Sequence, residues 1–335
     1  MRHHLAFQLL LLMVIAAGIT MGSVMLPLGD TLETLWALVR GASVAENSAA
    51  AILVHVRIPR VLSAALTGAA LSLCGAAMQG LLRNPLADGS TLGVSSGASL
   101  GAVMAISLGI TLPAWPIGGT VLMAMLFAFL TLMLILGLSY SFDHSFSTQT
   151  IILMGVIFSM FASSLISLFM AFSGDKLRTI TFWTMGSLAG TTYVNVLILF
   201  IALVVFGGTI LFHNRELNAF ALGEENALHI GVPVRRVKLT LMVAVSGLIG
   251  VCVSVGGTIG FVGLIIPHIV RIIYGPNHLK SLPASIYFGA IFLLLCDLAA
   301  RTILSPVELP IGVVTSLIGA MVFVFIFRGR KRKGR

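Results

Sequence analysis

The sequence predicts an all-α integral membrane protein with about ten transmembrane helices, and three observations carry that expectation. Of 335 residues, 58% are hydrophobic and 9% are charged, and the mean hydropathy is +1.08, far above the level of a soluble domain. The apolar runs are about twenty residues long, enough for a helix rising about 1.5 Å per residue to cross about 30 Å of hydrocarbon. They are continuous, where the strands of a membrane barrel would be shorter and would alternate.

The first run opens like a secretory leader, with Arg2 ahead of an apolar stretch. Its apolar part continues to about Leu28, too long for a leader core, so 5–27 is expected to remain as the first span. The next spans are expected at 58–81, 91–110, 117–138, 150–172 and 191–212. After an interruption at 213–238 come 239–258, 260–275, 282–302 and 311–328. No soluble domain is visible, and 1–335 reads as a single transmembrane domain. The longest interruptions are 28–57, 173–190 and 213–238. The tail "RGRKRKGR", 328–335, holds six of the twenty Lys and Arg residues. Directly after an apolar run, it reads as a cytosolic stop-transfer anchor able to touch anionic lipid.

An even number of spans puts both termini on the cytosolic side. Fourteen basic residues then fall inside, and six fall outside: Arg40, Arg57, Arg60, Lys176, Arg178 and Arg301. The bias agrees with the positive-inside rule. It also accounts for the net charge of +9 without nucleic acid, since the basic residues are not interleaved with aromatics on a solvated face. Glycines recur at small-xxx-small spacing in "GVSSGASLGA" (93–102) and "VSVGGTIGFVG" (253–263), the pattern that lets helix backbones approach closely in lipid.

Several kinds of chemistry are poorly represented. Cys74, Cys252 and Cys296 lie singly in apolar runs and read as packing residues, and the eight histidines show no ligand spacing, so no metal is expected. No lysine follows a glycine, so the GxxxxGK[ST] phosphate loop is absent. No acidic cluster of the kind used by ion-coupled carriers sits within the spans. Asp297 and Arg301, four apart on one helix, can pair with each other. The expectation is a channel or permease without a catalytic site, whose energy comes from elsewhere.

The charged island "ALGEENALHIGVPVRRVK" (221–238) stands out in so apolar a chain. Residues 222–230 suit a short amphipathic helix starting near Gly223, with Glu224 and Glu225 where the positive helix end favours them. Gly231 and then Pro233 suit its stop. Arg235, Arg236 and Lys238 read as anchors at the next span. Such a helix could fill a groove on a cytosolic partner; an ordinary solvated loop fits these residues equally well.

The chain resembles the FecCD-type permeases, membrane subunits of ATP-binding-cassette importers for iron-siderophore complexes, haem and cobalamin. The resemblance rests on "RIPRVLSAALTGAALSLCGAAMQGLLRNPLADGSTLGVSSGASLGA" (57–102), "WTMGSLAG" (183–190), the charged island, "GTIGFVGLIIPHIVR" (257–271) and the stretch 282–320. "LADGS" departs from the family, which usually has Pro after the acidic residue. The resemblance implies the type II importer permease fold in the bacterial cytoplasmic membrane, as a homodimer or a heterodimer with a similar subunit. It implies two cytosolic ATPase subunits that carry ATP and Mg, a periplasmic or lipid-anchored binding protein, and no cofactor on this chain. It further implies that Leu222, Gly223, Glu224, Glu225, Ala227, Leu228, Ile230 and Gly231 form the coupling helix. Arg57, Arg60 and Arg301 would hold acidic residues of the binding protein. Asn84, Leu86, Thr148 and Gln149 would form the cytosolic gate, although Gln149 departs from the small hydroxyl residue expected there. Met154, Phe158, Ser159, Met160 and Ser163 would supply a largely neutral wall for a bulky cargo, expected to be a ferric siderophore.

Overall fold

The structure is a computed structural model, and it describes residues 2–22, 28–40, 48–112, 118–144 and 147–333. Parts of several expectations lie outside the described residues: 23–27 of the first span, residue 117 of the fourth, 41–47 of the first long interruption, and 334–335 of the basic tail.

Every regular element among the described residues is helical. In chain order they are α1 (Arg2–Thr20), α2 (Leu28–Arg40), α3 (Ser48–Leu81), α4 (Val94–Leu108), α5 (Gly119–Phe142), α6 (Thr148–Phe172) and α7 (Leu177–Thr184). There follow α8 (Tyr193–Phe212), α9 (Asn214–Phe220), α10 (Glu224–His229), α11 (Val234–Gly256), α12 (Val262–Tyr274), α13 (His278–Thr302) and α14 (Ile311–Lys333). Among the described residues, six helices are long and apolar enough to cross a membrane: α3, α5, α6, α8, α11 and α13. Shorter apolar segments lie in α1, α4, α12 and α14. Each expected span overlaps one of these segments.

The boundaries differ where sequence punctuation was overridden. The second span starts at Ser48, well ahead of the expected 58, and runs straight through Pro59. A π-helical turn, Leu53–Arg57, ends one residue, Ile58, short of that proline and accommodates its missing N–H. The interruption at 28–57 therefore contains α2 and the first turns of α3, the one at 173–190 contains α7, and the one at 213–238 contains α9 and α10.

α3, α11 and α13 form the buried centre, whereas α5, α6 and α8 leave most of their surface exposed. α3 runs along α13 and also packs on α12 and α11; α4 lies against α5 and α6. One apolar core, including Leu73, Leu81, Val94, Ile135 and Leu248, joins α3, α4, α5 and α11. A second, including Val14, Val61, Val262, Leu293 and Val314, joins α1, α3, α12, α13 and α14. Cys74, Cys252 and Cys296 are free thiols buried in this packing.

Glycine sets the helix spacing at the centre. A Cβ on Gly75 would lie 1.9 Å from the Gly263 carbonyl oxygen, and one on Gly68 would lie 2.3 Å from that of Gly289. Within the small-residue stretch 93–102, Gly97 and Gly101 bring α4 onto Thr131 and the Met123 carbonyl of α5. Dispersion between closely packed backbones replaces the hydrophobic drive that lipid does not provide.

Gly75→Ala is expected to destabilise the protein by about 3 kcal/mol or more, because the neighbouring atoms are backbone and cannot turn aside. Gly137→Ala on α5, where the added methyl would meet nothing within 4 Å, serves as the neutral control. Thermal unfolding in detergent distinguishes the two, and equal midpoints would refute the packing account.

Candidate functional site

The start of α11, the start of α6, the end of α3 and the start of α13 share one end of the bundle with α10. The expected helix at 222–230 forms as α10, Glu224–His229. Gly223 precedes it at φ 110° and Gly231 follows it at φ 88°, both values open to glycine at little cost. Its exit is a Schellman turn: the Gly231 N–H donates to the Leu228 carbonyl (2.9 Å) and the Val232 N–H to the Ala227 carbonyl (3.0 Å). Ala227 is fully buried beneath the helix, while Leu222, Leu228 and Ile230 are 65%, 57% and 64% exposed. Three large apolar side chains thus stand out at a polar end of the molecule. α9 supports this projection, with Leu217 and Phe220 buried and Asn218 Oδ1 accepting from the His278 backbone N–H at 2.9 Å.

The structure corrects the reading of the basic residues after α10. Lys238 is buried, not an anchor in the headgroup region, and its Nζ lies 2.8 Å from both carboxylate oxygens of Glu224. Thr148 Oγ1, on the first residue of α6, donates to Glu224 Oε1 at 3.2 Å. Thr148, Gln149, Glu224, Glu225, Leu228 and Lys238 line one cavity. Arg235 is exposed and stacks over the Tyr140 ring at 5.4 Å. Asn84 and Leu86 lie in the exposed turn after α3, where Asn84 Oδ1 accepts from the Leu86 N–H at 2.9 Å. That turn adjoins α10, since a Cβ on Gly223 would lie 3.7 Å from the Arg83 guanidinium. Asn84 and Leu86 do not line the cavity that Thr148 and Gln149 share with α10.

At the opposite end, Arg57, Arg60 and Arg301 are 4%, 5% and 2% exposed, although the sequence placed them at an outer loop and helix end. Their guanidiniums are held inside the subunit. Arg60 Nε donates to Asp297 Oδ1 at 2.9 Å and Nη1 to Glu308 Oε2 at 2.6 Å. Arg301 Nε lies 3.0 Å from Asp297 Oδ2, so the expected i,i+4 pair exists but shares its carboxylate with Arg60. Arg57 Nη1 donates to the carbonyls of Ile19 (3.1 Å) and Thr20 (2.7 Å), and Arg301 donates to those of Gly18 (3.1 Å) and Met21 (3.3 Å). These are carbonyls at the end of α1 with no helical partner, at the negative end of its dipole, where cations are favoured. Glu308 and Lys238 were both missed as members of these clusters: Arg60 and Glu308 are 248 residues apart, and Lys238 reads in sequence as a continuation of the basic pair Arg235 and Arg236.

Between the two ends lies a cavity of 440 Å³ whose wall includes Asp88, Ser95, Ser99, Ser163, Ser167 and Thr184. Of the residues expected to form a neutral wall, Ser163 lines it; Met154 and Phe158 instead pack on the first core. Ser167 and Met170, further along α6, complete that side of the wall.

A model described as the FecCD transport family matches residues 9–329 of the chain. An uncharacterized ABC transporter permease protein of Bacillus subtilis is 45% identical over 328 residues, covering 96% of this chain and 92% of the relative. A cobalamin import system permease protein of Halobacterium salinarum is 37% identical, covering 85% and 75% respectively. A molybdate import system permease protein of Haemophilus influenzae is 35% identical, covering 98% and 96%. A solved ABC transporter assigned to the metal-chelate type, in an inward-facing conformation, superposes with a TM-score of 0.85 at 32% identity, covering 98% of this chain and 99% of that one.

Asp297→Ala is expected to lower stability by about 3–5 kcal/mol, because it leaves two buried guanidiniums without their shared carboxylate. The readout is the thermal midpoint of the purified protein. A change of less than about 1 kcal/mol would show that the network is not a stabilising centre.

Proposed function

This chain belongs to the FecCD transport family of ABC importer permeases, and we propose that it forms the membrane pathway for a bulky metal chelate of the iron(III)-siderophore type. In this reading two copies of the chain sit on two cytosolic ATPase subunits, which bind ATP and Mg, and receive cargo from a binding protein outside. Both termini face the cytosol. The observation that carries the proposal is α10: a helix isolated by two left-handed glycines, exposing Leu222, Leu228 and Ile230 beside the starts of α6 and α11. Its side chains suit a groove on an ATPase subunit, and the exposed face of α6 suits contact with a second copy.

The hydroxyl-lined cavity supports a cargo that is bulky and able to hydrogen-bond, since such a wall offers many weak contacts and no tight one. Cobalamin is the second reading, favoured by the cobalamin permease among the relatives. Arg57, Arg60 and Arg301 would act at the outer end by setting a positive potential that steers the acidic groups of the binding protein. Asn84, Leu86, Thr148 and Gln149 would close the cytosolic end.

Reconstituted in liposomes with its cognate ATPase, the protein is expected to take up cargo with ATP and not with a proton or sodium gradient alone; uptake on a gradient without ATP would overturn the reading. A thermal-shift screen of the cognate binding protein against ferric siderophores, haem and cobalamin decides the cargo. Leu228→Glu is expected to cut ATP-driven uptake by about tenfold or more, since a charge placed in an apolar groove costs at least about 2 kcal/mol. Docking of the binding protein should weaken as salt is raised from 50 to 500 mM, by surface plasmon resonance. Salt-independent docking would remove the steering role from the three arginines.

A further inference from the structure

We infer that Glu224 is a positioning residue rather than a contact for the ATPase: it is the joint that ties the coupling helix to the two long helices walling the central cavity. The inference rests on the assignment of α10 as the coupling helix.

The geometry around Glu224 points inward. Its carboxylate lies 2.8 Å from the Lys238 ammonium through both oxygens and accepts the Thr148 hydroxyl at 3.2 Å. The Lys238 side chain is 2% exposed, against 38% for that of Glu224. Lys238 stands in the second turn of α11, near the positive end of the helix dipole and out of water, so its ammonium is doubly disfavoured there without a counter-charge. Glu224 supplies that charge from a different element. If α10 moved away without α11, the buried ammonium would lose the carboxylate that lies 2.8 Å from it, so the low-energy response is for the two to move together.

Thr148 adds the second arm. It is the first residue of α6, and the turn around it is braced: Ser147 Oγ accepts from the Thr150 N–H at 3.3 Å, and Asp143 Oδ2 accepts from the Ser147 N–H at 3.1 Å. A push on this end therefore meets a framed helix start. α6 carries Ser163 and Ser167 to the central cavity, and α11 carries Ile249 and Val253 to the same cavity. Fifteen residues from Thr148 to Ser163 correspond to about 22 Å of helix. One carboxylate on α10 thus grips the near ends of two rods whose far parts both contribute to one cavity wall. Displacement of α10 by the ATPase would shift both rods and reshape the space that cargo occupies.

The test uses the full complex with its cognate ATPase in proteoliposomes and reads radioiron-labelled ferric siderophore, or cobalamin where the siderophore is not taken up, moved per ATP hydrolysed, with assembly followed by size exclusion. Glu224→Lys and Lys238→Glu are each expected to lower that ratio about tenfold, and the double reversal is expected to bring it back to within about threefold of the parent. A docking role for the Glu224 charge predicts no such rescue, so an assembled double reversal as poor as the single variants would overturn the joint. Should the reversals fail to assemble, Glu224→Gln and Thr148→Val are milder: each is expected to lower the ratio about threefold, with the double variant less than additive. A parental ratio in Glu224→Gln would equally overturn the joint. If the unaltered complex hydrolyses ATP and moves neither ferric siderophore nor haem nor cobalamin, it is the importer reading that fails, and the joint with it.

Discussion

Asp297 is fully buried, and one end of the subunit is assembled around its carboxylate. It binds the guanidinium of Arg60 from α3 and lies beside that of Arg301 on its own helix, α13, while Arg60 also reaches Glu308 in the segment before α14. Burying charge in a membrane protein is tolerable only where opposite charges and backbone carbonyls replace water. The arginines meet that condition twice. One set of bonds goes to the acids, and another, from Arg57 and Arg301, goes to the last carbonyls of α1. Through one carboxylate, α1, α3, α13 and the approach to α14 are held in one register.

The same rule operates at the other end with fewer members. Lys238 is buried because Glu224 is there, and Glu224 is held by Thr148 as well. The two polar clusters frame a middle zone whose helices touch through glycine, with Gly75 against Gly263 and Gly68 against Gly289. Where backbones meet this closely there is little freedom for one helix to slide past another. The peripheral helices α5, α6 and α8 leave most of their surface exposed, and α6 is the one that brings hydroxyls to the central cavity. Motion in the subunit is therefore easiest to place in α6, at the edge of a stiff α3–α13 centre.

Much of this was legible beforehand, for specific reasons. Hydropathy over about twenty residues located the spans because crossing lipid is a requirement on each helix separately. α10 was half legible: Gly223 and Gly231 punctuate it and two glutamates open it, but a solvated loop fitted the same residues until the resemblance to the FecCD-type permeases was added. The start of α3 was expected at 58, whereas a π-helical turn ahead of Pro59 lets the helix run on from Ser48. Lys238 was misread because in sequence it continues the basic pair Arg235 and Arg236, whereas in the helix its side chain turns inward. The roles given to Arg57, Arg60 and Arg301 presumed exposure that the packing of α1 removes.

The sequence by itself determined that this is a multi-helix membrane protein without a phosphate loop, and it marked the short helix between two glycines. Those properties depend on composition and on local backbone conformation, which neighbours in the chain set. Only the tertiary structure decided which charge meets which. Arg60 and Asp297 are 237 residues apart, and Glu224 and Lys238 lie on separate helices. Such pairs exist only once helix packing has fixed the rotation and depth of each helix, because a quarter turn either way would point the same side chains into lipid.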